Sequence, residues 1–249
     1  MARDLSGGAA LVTGGARRIG RAVALALGRA GVDVVVHYNS SLAAAEQLVR
    51  ELETVGVHAW AVHADLRIER DLANLVERTT SLAGPLSVLV NNASAFPQTT
   101  FEEMTRAELV AAIELEAWAP FELARRFAPS MPDGSHIVNM LDTRVVAQFD
   151  WQHFAYCSGK RLLALFTELM AVHFAPRIAV NGIGPGLILP PEGRGRDYLE
   201  ARAPELPLER AGDPTFISDA VMFLVRSEFI TGQTIFIDGG RHLLGGARG

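Results

Sequence analysis

The chain has 249 residues, 28 acidic and 23 basic side chains for a formal charge of −5, 49% hydrophobic residues and a single cysteine. That is enough chain for one large α/β domain, and with no run of five like charges nothing in it suggests a nucleic-acid or polyanion surface. Cys157 alone can form no intrachain disulfide or multi-cysteine metal site, the opening MARDLSGG lacks an apolar signal segment, and no apolar run reaches the roughly 18 residues of a membrane span; a soluble, cytoplasmic protein without a metal is expected.

The first predicted strand, Ala9–Thr13, runs into Gly14-Gly15-Ala16-Arg17-Arg18-Ile19-Gly20 and a helical pattern over Arg18–Ala30. Glycines let the backbone turn tightly and approach phosphate, and a helix N-terminus offers N–H groups and partial positive charge, so Gly14, Arg17, Arg18, Ile19 and Gly20 are candidates to hold a dinucleotide. Alone, such a turn is a weak signal, but its place in the first strand–helix unit strengthens it. Arg18 stands where the usual fingerprint has its middle glycine. The second strand, Asp33–His37, ends in His37-Tyr38-Asn39-Ser40-Ser41, with no acid to bind a ribose 2′-hydroxyl. With hydroxyl and amide donors there and Arg17 or Arg18 nearby, a 2′-phosphate is favoured, and NADPH is expected over NADH. Ser40 or Ser41 would also cap the next helix, Leu42–Val55.

Strand His58–His63, helix Ile68–Leu82, strand Leu86–Val90, helix Arg106–Ala128 and strand His136–Met140 follow in alternation. The next helix, Trp151–Phe174, holds Tyr156-Cys157-Ser158-Gly159-Lys160, whose spacing of four puts phenol and ammonium on one face. A cation beside a phenol lowers its pKa, so Tyr156 could exchange a proton with a reacting atom. Lys160 is the only lysine among 23 bases, and a compact ammonium can do what a guanidinium cannot. Strand Ala179–Ile183 leads into Gly184–Gly212, rich in Pro and Gly, which keeps neither period and predicts an irregular insert covering a substrate. Helix Pro214–Val225 and strand Thr234–Ile237 complete the pattern. No repeat or linker divides the chain, so one Rossmann-type doubly wound domain over 1–249 is expected, a seven-stranded parallel sheet with helices on both faces.

Taken in order, the glycine-rich turn, Asp65-Leu66, Asn91-Asn92-Ala93-Ser94, the Tyr156 and Lys160 pair, Asn181 through Pro185-Gly186, and Thr231-Gly232-Gln233 leading to Asp238-Gly239-Gly240 resemble the short-chain dehydrogenase/reductase family over nearly the whole chain. The resemblance implies an adenine-side role for Asp65 and Leu66, and a nicotinamide-side role for Asn92, Ala93 and the stretch Pro185, Gly186 and Ile188. Asp142 replaces the family's usual serine. With Arg18, His37-Tyr38 and Asn92-Ala93-Ser94-Ala95-Phe96 it resembles the pteridine reductase branch, which includes dihydromonapterin and dihydrofolate reductases of this fold. That implies NADPH-dependent reduction of a ring C=N, with Phe96 stacked on the pterin, Asp142 and Tyr156 as the proton-donating pair assisted by Lys160, and Arg18 and Ser94 touching pterin or cofactor phosphate.

By themselves Phe96 reads equally as loop packing, Asp142 as a turn residue and His153 as structural. Glu116 stands where the family usually has an Asn that anchors a water. A 3-oxoacyl-type carbonyl reductase is the alternative within the enzyme class, weakened by Asp142; a non-catalytic NADPH-binding sensor would need neither Tyr156 nor Lys160. Apolar residues on more than one face of the two long helices, together with the resemblance, lead to the expectation of a homotetramer, or at least a dimer.

Overall fold

Four fully buried residues, Ala9–Val12, form β1 at the centre of the sheet, and α1 (Arg18–Arg29) carries the chain to β2 (Asp33–Tyr38). The unit repeats through α2 (Leu42–Thr54), β3 (Ala59–His63), α3 (Glu69–Ala83) and β4 (Val88–Asn91). The second half runs through α4 (Arg106–Ile113), α5 (Ala119–Phe127), β5 (Ser135–Met140), α6 (Phe154–Phe174), β6 (Ile178–Pro185), α7 (Asp197–Arg202), α8 (Pro214–Val225) and β7 (Thr234–Ile237). This computed structural model describes residues 3–145 and 150–244; the outer ends of the expected 1–249 domain lie outside them.

All seven strands are parallel, in the order β3-β2-β1-β4-β5-β6-β7. The order reverses between β1 and β4, which opens a crevice at their carboxyl ends. Two apolar layers cover the sheet. One packs Val23, Leu27, Leu48 and Val221 from α1, α2 and α8, and the other packs Leu72, Leu75, Leu123, Phe127 and Met170 from α3, α5 and α6. The expected doubly wound domain is therefore present. Among the described residues, no helix is long and apolar enough to cross a membrane, and no group of three His, Cys, Asp or Glu could hold a metal ion.

Most element ends fall within one or two residues of the sequence reading, and three places differ by more. The helix expected over Arg106–Ala128 is interrupted by a π-helical turn, Glu114–Trp118, that adds a residue between α4 and α5. α6 begins at Phe154, because Trp151 and Gln152 pair with the 99–101 segment through Thr99 N–H to Gln152 O (2.7 Å) and Phe101 N–H to Trp151 O (3.0 Å). The expected irregular insert Gly184–Gly212 is corrected at both levels: β6 continues to Pro185 by pairing with β7, and α7 forms inside the insert, where Arg196–Ala203 contains no Pro or Gly.

Candidate active site

The glycine turn is built for close approach. Gly14 has φ +59°, and a Cβ there would lie 2.9 Å from Ala93 Cα; one on Gly20 would lie 2.3 Å from Gly14 O. Arg18 adopts φ 54°, the left-handed conformation that explains why glycine is usual at that place, and its Nη2 donates to Pro190 O at 2.8 Å. The guanidinium therefore ties the turn to the insert. Thr13 Oγ1 accepts from the N–H groups of Asn92 and Ala93, and Asn92 Nδ2 donates to Thr13 O and Gly14 O, fastening the end of β4 to the turn.

A cavity of about 290 Å³ opens beside this turn. Its lining includes Gly14, Arg17 and His37, the stretch from Tyr38 to Ser41, Asp65, Leu66 and Arg67, and Ala93 with Ser94. His37 meets the cavity without a ring nitrogen to spare. Its Nδ1 accepts from Gly14 N–H at 3.0 Å, which leaves Nε2 to donate to Ala64 O, also at 3.0 Å, and burial pushes its pKa down to about 4. Ser41 occupies the N-cap position of α2 but makes no side-chain cap bond, contrary to the capping expectation. Arg67, which sequence reasoning missed, grips Asp65 at 2.9 and 2.6 Å and holds its carboxyl below the usual range. Ile19 packs against the core below, Pro185 ends β6, and Gly186 passes so close to β7 that a Cβ would lie 2.5 Å from Asp238 Cα. Ile188 is 4% exposed and packs in the core.

Asp142, at the end of β5, accepts the Tyr156 hydroxyl proton on Oδ2 at 2.9 Å. The same carboxylate takes Arg144 Nη1 at 3.0 and 3.1 Å and Arg144 N–H at 2.9 Å. Lys160 is 3% exposed. Its ammonium donates to Met140 O at 2.6 Å and forms an ion pair with Glu116 Oε2 at 2.9 Å, too poorly aligned to count as a hydrogen bond. Burial, joined by Asp142 and Glu116, raises the phenol well above its ordinary value, which corrects the expectation of a lysine-lowered tyrosine. Tyr156 is thus held as a neutral O–H donor. Burial likewise raises the Cys157 thiol to about 11.

Phe96 stands over this group with 47% of its surface exposed. Its ring meets Tyr156 edge-on at 4.7 Å and stacks on His153 at 3.8 Å and 11°. His153 therefore covers one of its faces, and Nδ1 of that imidazole pairs with Asp150 Oδ2 at 3.0 Å. Asp150 also takes Arg144 Nε at 3.0 Å, so Arg144 bridges Asp142 to Asp150. Ser94, which lines the cavity, donates to Glu116 Oε1 at 3.0 Å. Arg144, Asp150 and the pairing of Glu116 carry no motif, and only their nearness to Asp142 and Tyr156 in the fold reveals them.

A sequence model of the family described as enoyl-(acyl carrier protein) reductase matches residues 14–242. The 3-oxoacyl-[acyl-carrier-protein] reductase FabG of Staphylococcus epidermidis is 31% identical, covering 94% of this chain and 98% of the relative. Among solved structures, the FolM alternative dihydrofolate reductase 1 of Brucella canis, complexed with NADP, is 35% identical with a TM-score of 0.89, covering 97% of this chain and 96% of that one. The promiscuous reductase LugOII, which catalyses keto-reduction at C1 during lugdunomycin biosynthesis, is also 35% identical with a TM-score of 0.89, covering 97% and 100%.

Proposed function

The chain belongs to the short-chain dehydrogenase/reductase family, and from that premise we propose that it is an NADPH-dependent reductase of a pterin or dihydrofolate-like ring. The observation that carries this reading is the Tyr156 hydroxyl lying 2.9 Å from an aspartate, Asp142, beneath the half-exposed ring of Phe96. The cofactor reading is supported by the cradle that Gly14 and Gly20 keep clear, by Arg17 and Arg67 in the cavity wall, and by Tyr38-Asn39-Ser40-Ser41, which puts no carboxylate where a 2′-phosphate would lie. When bound, NADPH supplies a hydride from its nicotinamide ring. Gly14, Ile19 and Gly20 would hold the pyrophosphate, Arg17 with Asn39 to Ser41 the 2′-phosphate, Asp65 and Leu66 the adenine. Asn92, Ala93, Pro185, Gly186 and Ile188 would border the nicotinamide.

Tyr156 then delivers its proton to the ring nitrogen, and Asp142 both aims that O–H and accepts from the amino and ring N–H donors a pterin presents. Arg144 Nη1 meets the same carboxylate at 3.0 Å, and the phenol is the O–H donor of the Tyr156–Asp142 pair. A second reading, carbonyl reduction, draws support from the same pairing, since a lone phenol donor also serves a ketone, and from FabG and LugOII as relatives of comparable identity. NADPH oxidation with 7,8-dihydropterin, dihydrofolate and an acetoacetyl thioester separates them. We expect turnover of a dihydropterin or dihydrofolate and about a tenfold or greater preference for NADPH over NADH, from one or two charge-assisted bonds to the 2′-phosphate. Turnover of the thioester alone would assign carbonyl reduction instead.

A further inference from the structure

Arg67 reaches the cofactor cavity from the end of β3. That strand runs in register with β2, Tyr38 beside His63, and Ala64 N–H continues the ladder to Tyr38 O at 3.1 Å, so the stretch Ala64–Arg67 leaves the sheet next to Tyr38–Ser41. Both stretches line the same cavity. Asp65 then locks the arginine in place. Its Oδ1 accepts from Arg67 N–H at 3.0 Å and from Arg67 Nε at 2.9 Å, and its Oδ2 accepts from Nη2 at 2.6 Å. Two parallel bonds from one edge of a planar guanidinium fix its plane as well as its position. The Arg67 side chain keeps 48% of its surface exposed, so the edge is spent and a flat face is left for a planar partner.

A carboxylate this close makes the guanidinium a poor phosphate ligand. A 2′-phosphate brought to Nη2 would come up against Asp65 Oδ2, only 2.6 Å from that nitrogen, and two anions would share one cation. Arg17 lines the same cavity and forms no ion pair among the described residues, which suits it better to the phosphate. A neutral flat ring with an exocyclic amine meets the opposite situation. Its face can lie on the guanidinium, and its amine can donate to Asp65 Oδ2, which holds one bond and has a lone pair left. We infer that Arg67 is an adenine-binding residue: locked onto Asp65, it forms a flat platform for the adenine of the cofactor and leaves the 2′-phosphate to Arg17 and the stretch Asn39–Ser41. The inference concerns the nucleotide end alone and holds whichever substrate the site reduces.

Arg67→Ala removes the platform, and Arg67→Lys keeps a positive charge beside Asp65 while losing the plane. The side chain is half-exposed, so both variants leave the core intact. Dissociation constants are read without turnover, by isothermal titration calorimetry with NADPH, NADH and 2′,5′-ADP, the adenine half of NADPH. Both variants are expected to bind NADPH about fivefold or more weakly than the wild type does. NADH and 2′,5′-ADP should lose the same factor, so that the preference for NADPH over NADH stays where it was. An unchanged NADPH constant in Arg67→Ala, or wild-type binding kept by Arg67→Lys, would overturn the inference. So would a loss confined to the two ligands that carry a 2′-phosphate, which would make Arg67 a phosphate ligand instead. Because no pterin or thioester enters the measurement, its outcome is separate from that of the substrate assay.

Discussion

Burial, with Asp142 beside it, pushes the Tyr156 phenol above its ordinary value, and the lysine that shares its helix face also meets Glu116. The spacing of Tyr156 to Lys160 reads as a phenol beside an ammonium, whereas in the structure the hydroxyl is bonded to Asp142 and the ammonium meets Met140 O and Glu116. Side-chain pairing of this kind is set by which strands and helices converge, and four-residue spacing cannot report it. Tyr156→Phe is expected to lower turnover by roughly 10²–10⁴ while leaving NADPH affinity near wild type, as suits a positioned acid; a variant with near-normal turnover would remove the phenol from the chemistry. His37 carries a second prediction. Burial puts its folded pKa at about 4 against an ordinary 6.5, so the unfolded chain takes up a proton that the folded one refuses as pH falls through that window. The stability present above pH 6.5 is lost progressively toward pH 4, by about 3 kcal/mol for this group. His136, also pushed down to about 4 by burial, adds in the same direction. Urea unfolding at several pH values should show a shallower acid loss in His37→Asn than in the wild type; equal losses would contradict the assignment.

At the scale of elements, strands and short helices were readable because alternating buried runs and three-to-four spacing are local signals. The π turn was not, because its apolar residues keep the helical period within error while one extra residue rotates Glu116 inward. The start of α6 was misread for a different reason: Trp151 and Gln152 are held by the backbone of residues 99–101, a contact distant in sequence. α6 passes close to the π turn at Gly159, where a Cβ would lie 2.8 Å from Glu116 Cβ. Gly159→Ala should cost about 1–3 kcal/mol of stability, because its methyl would meet both Glu116 Cβ and the Ala112 carbonyl. Denaturant unfolding measures this directly, and an unchanged midpoint would show that the helix pair can separate freely.

For the whole molecule, strict alternation of strand and helix was enough to read the doubly wound sheet, whereas nothing in it fixes which surfaces meet a second copy. α6 presents Leu165, Leu169 and Val172 to solvent, the last at 82% exposure, with Trp118 of the π turn also exposed. A second exposed set, Phe223, Phe229 and Leu243, belongs to the chain's last third. We propose that these surfaces pair copies of the chain as a homotetramer, or at least a dimer, one apolar set for each kind of two-fold contact. Light scattering should then give a mass of at least twice 26.8 kDa, and a monomer mass at micromolar concentration would refute it. The proposed selectivity of the site for a pterin-like ring rests on Asp142, and it is read from the ratio of kcat/KM for 7,8-dihydropterin to that for an acetoacetyl thioester, taken on the wild type and on Asp142→Ser. The ratio is expected to fall by about tenfold or more in Asp142→Ser, the loss of at least one charge-assisted acceptor, with NADPH affinity unchanged; an unchanged ratio would show that Asp142 does not select the ring.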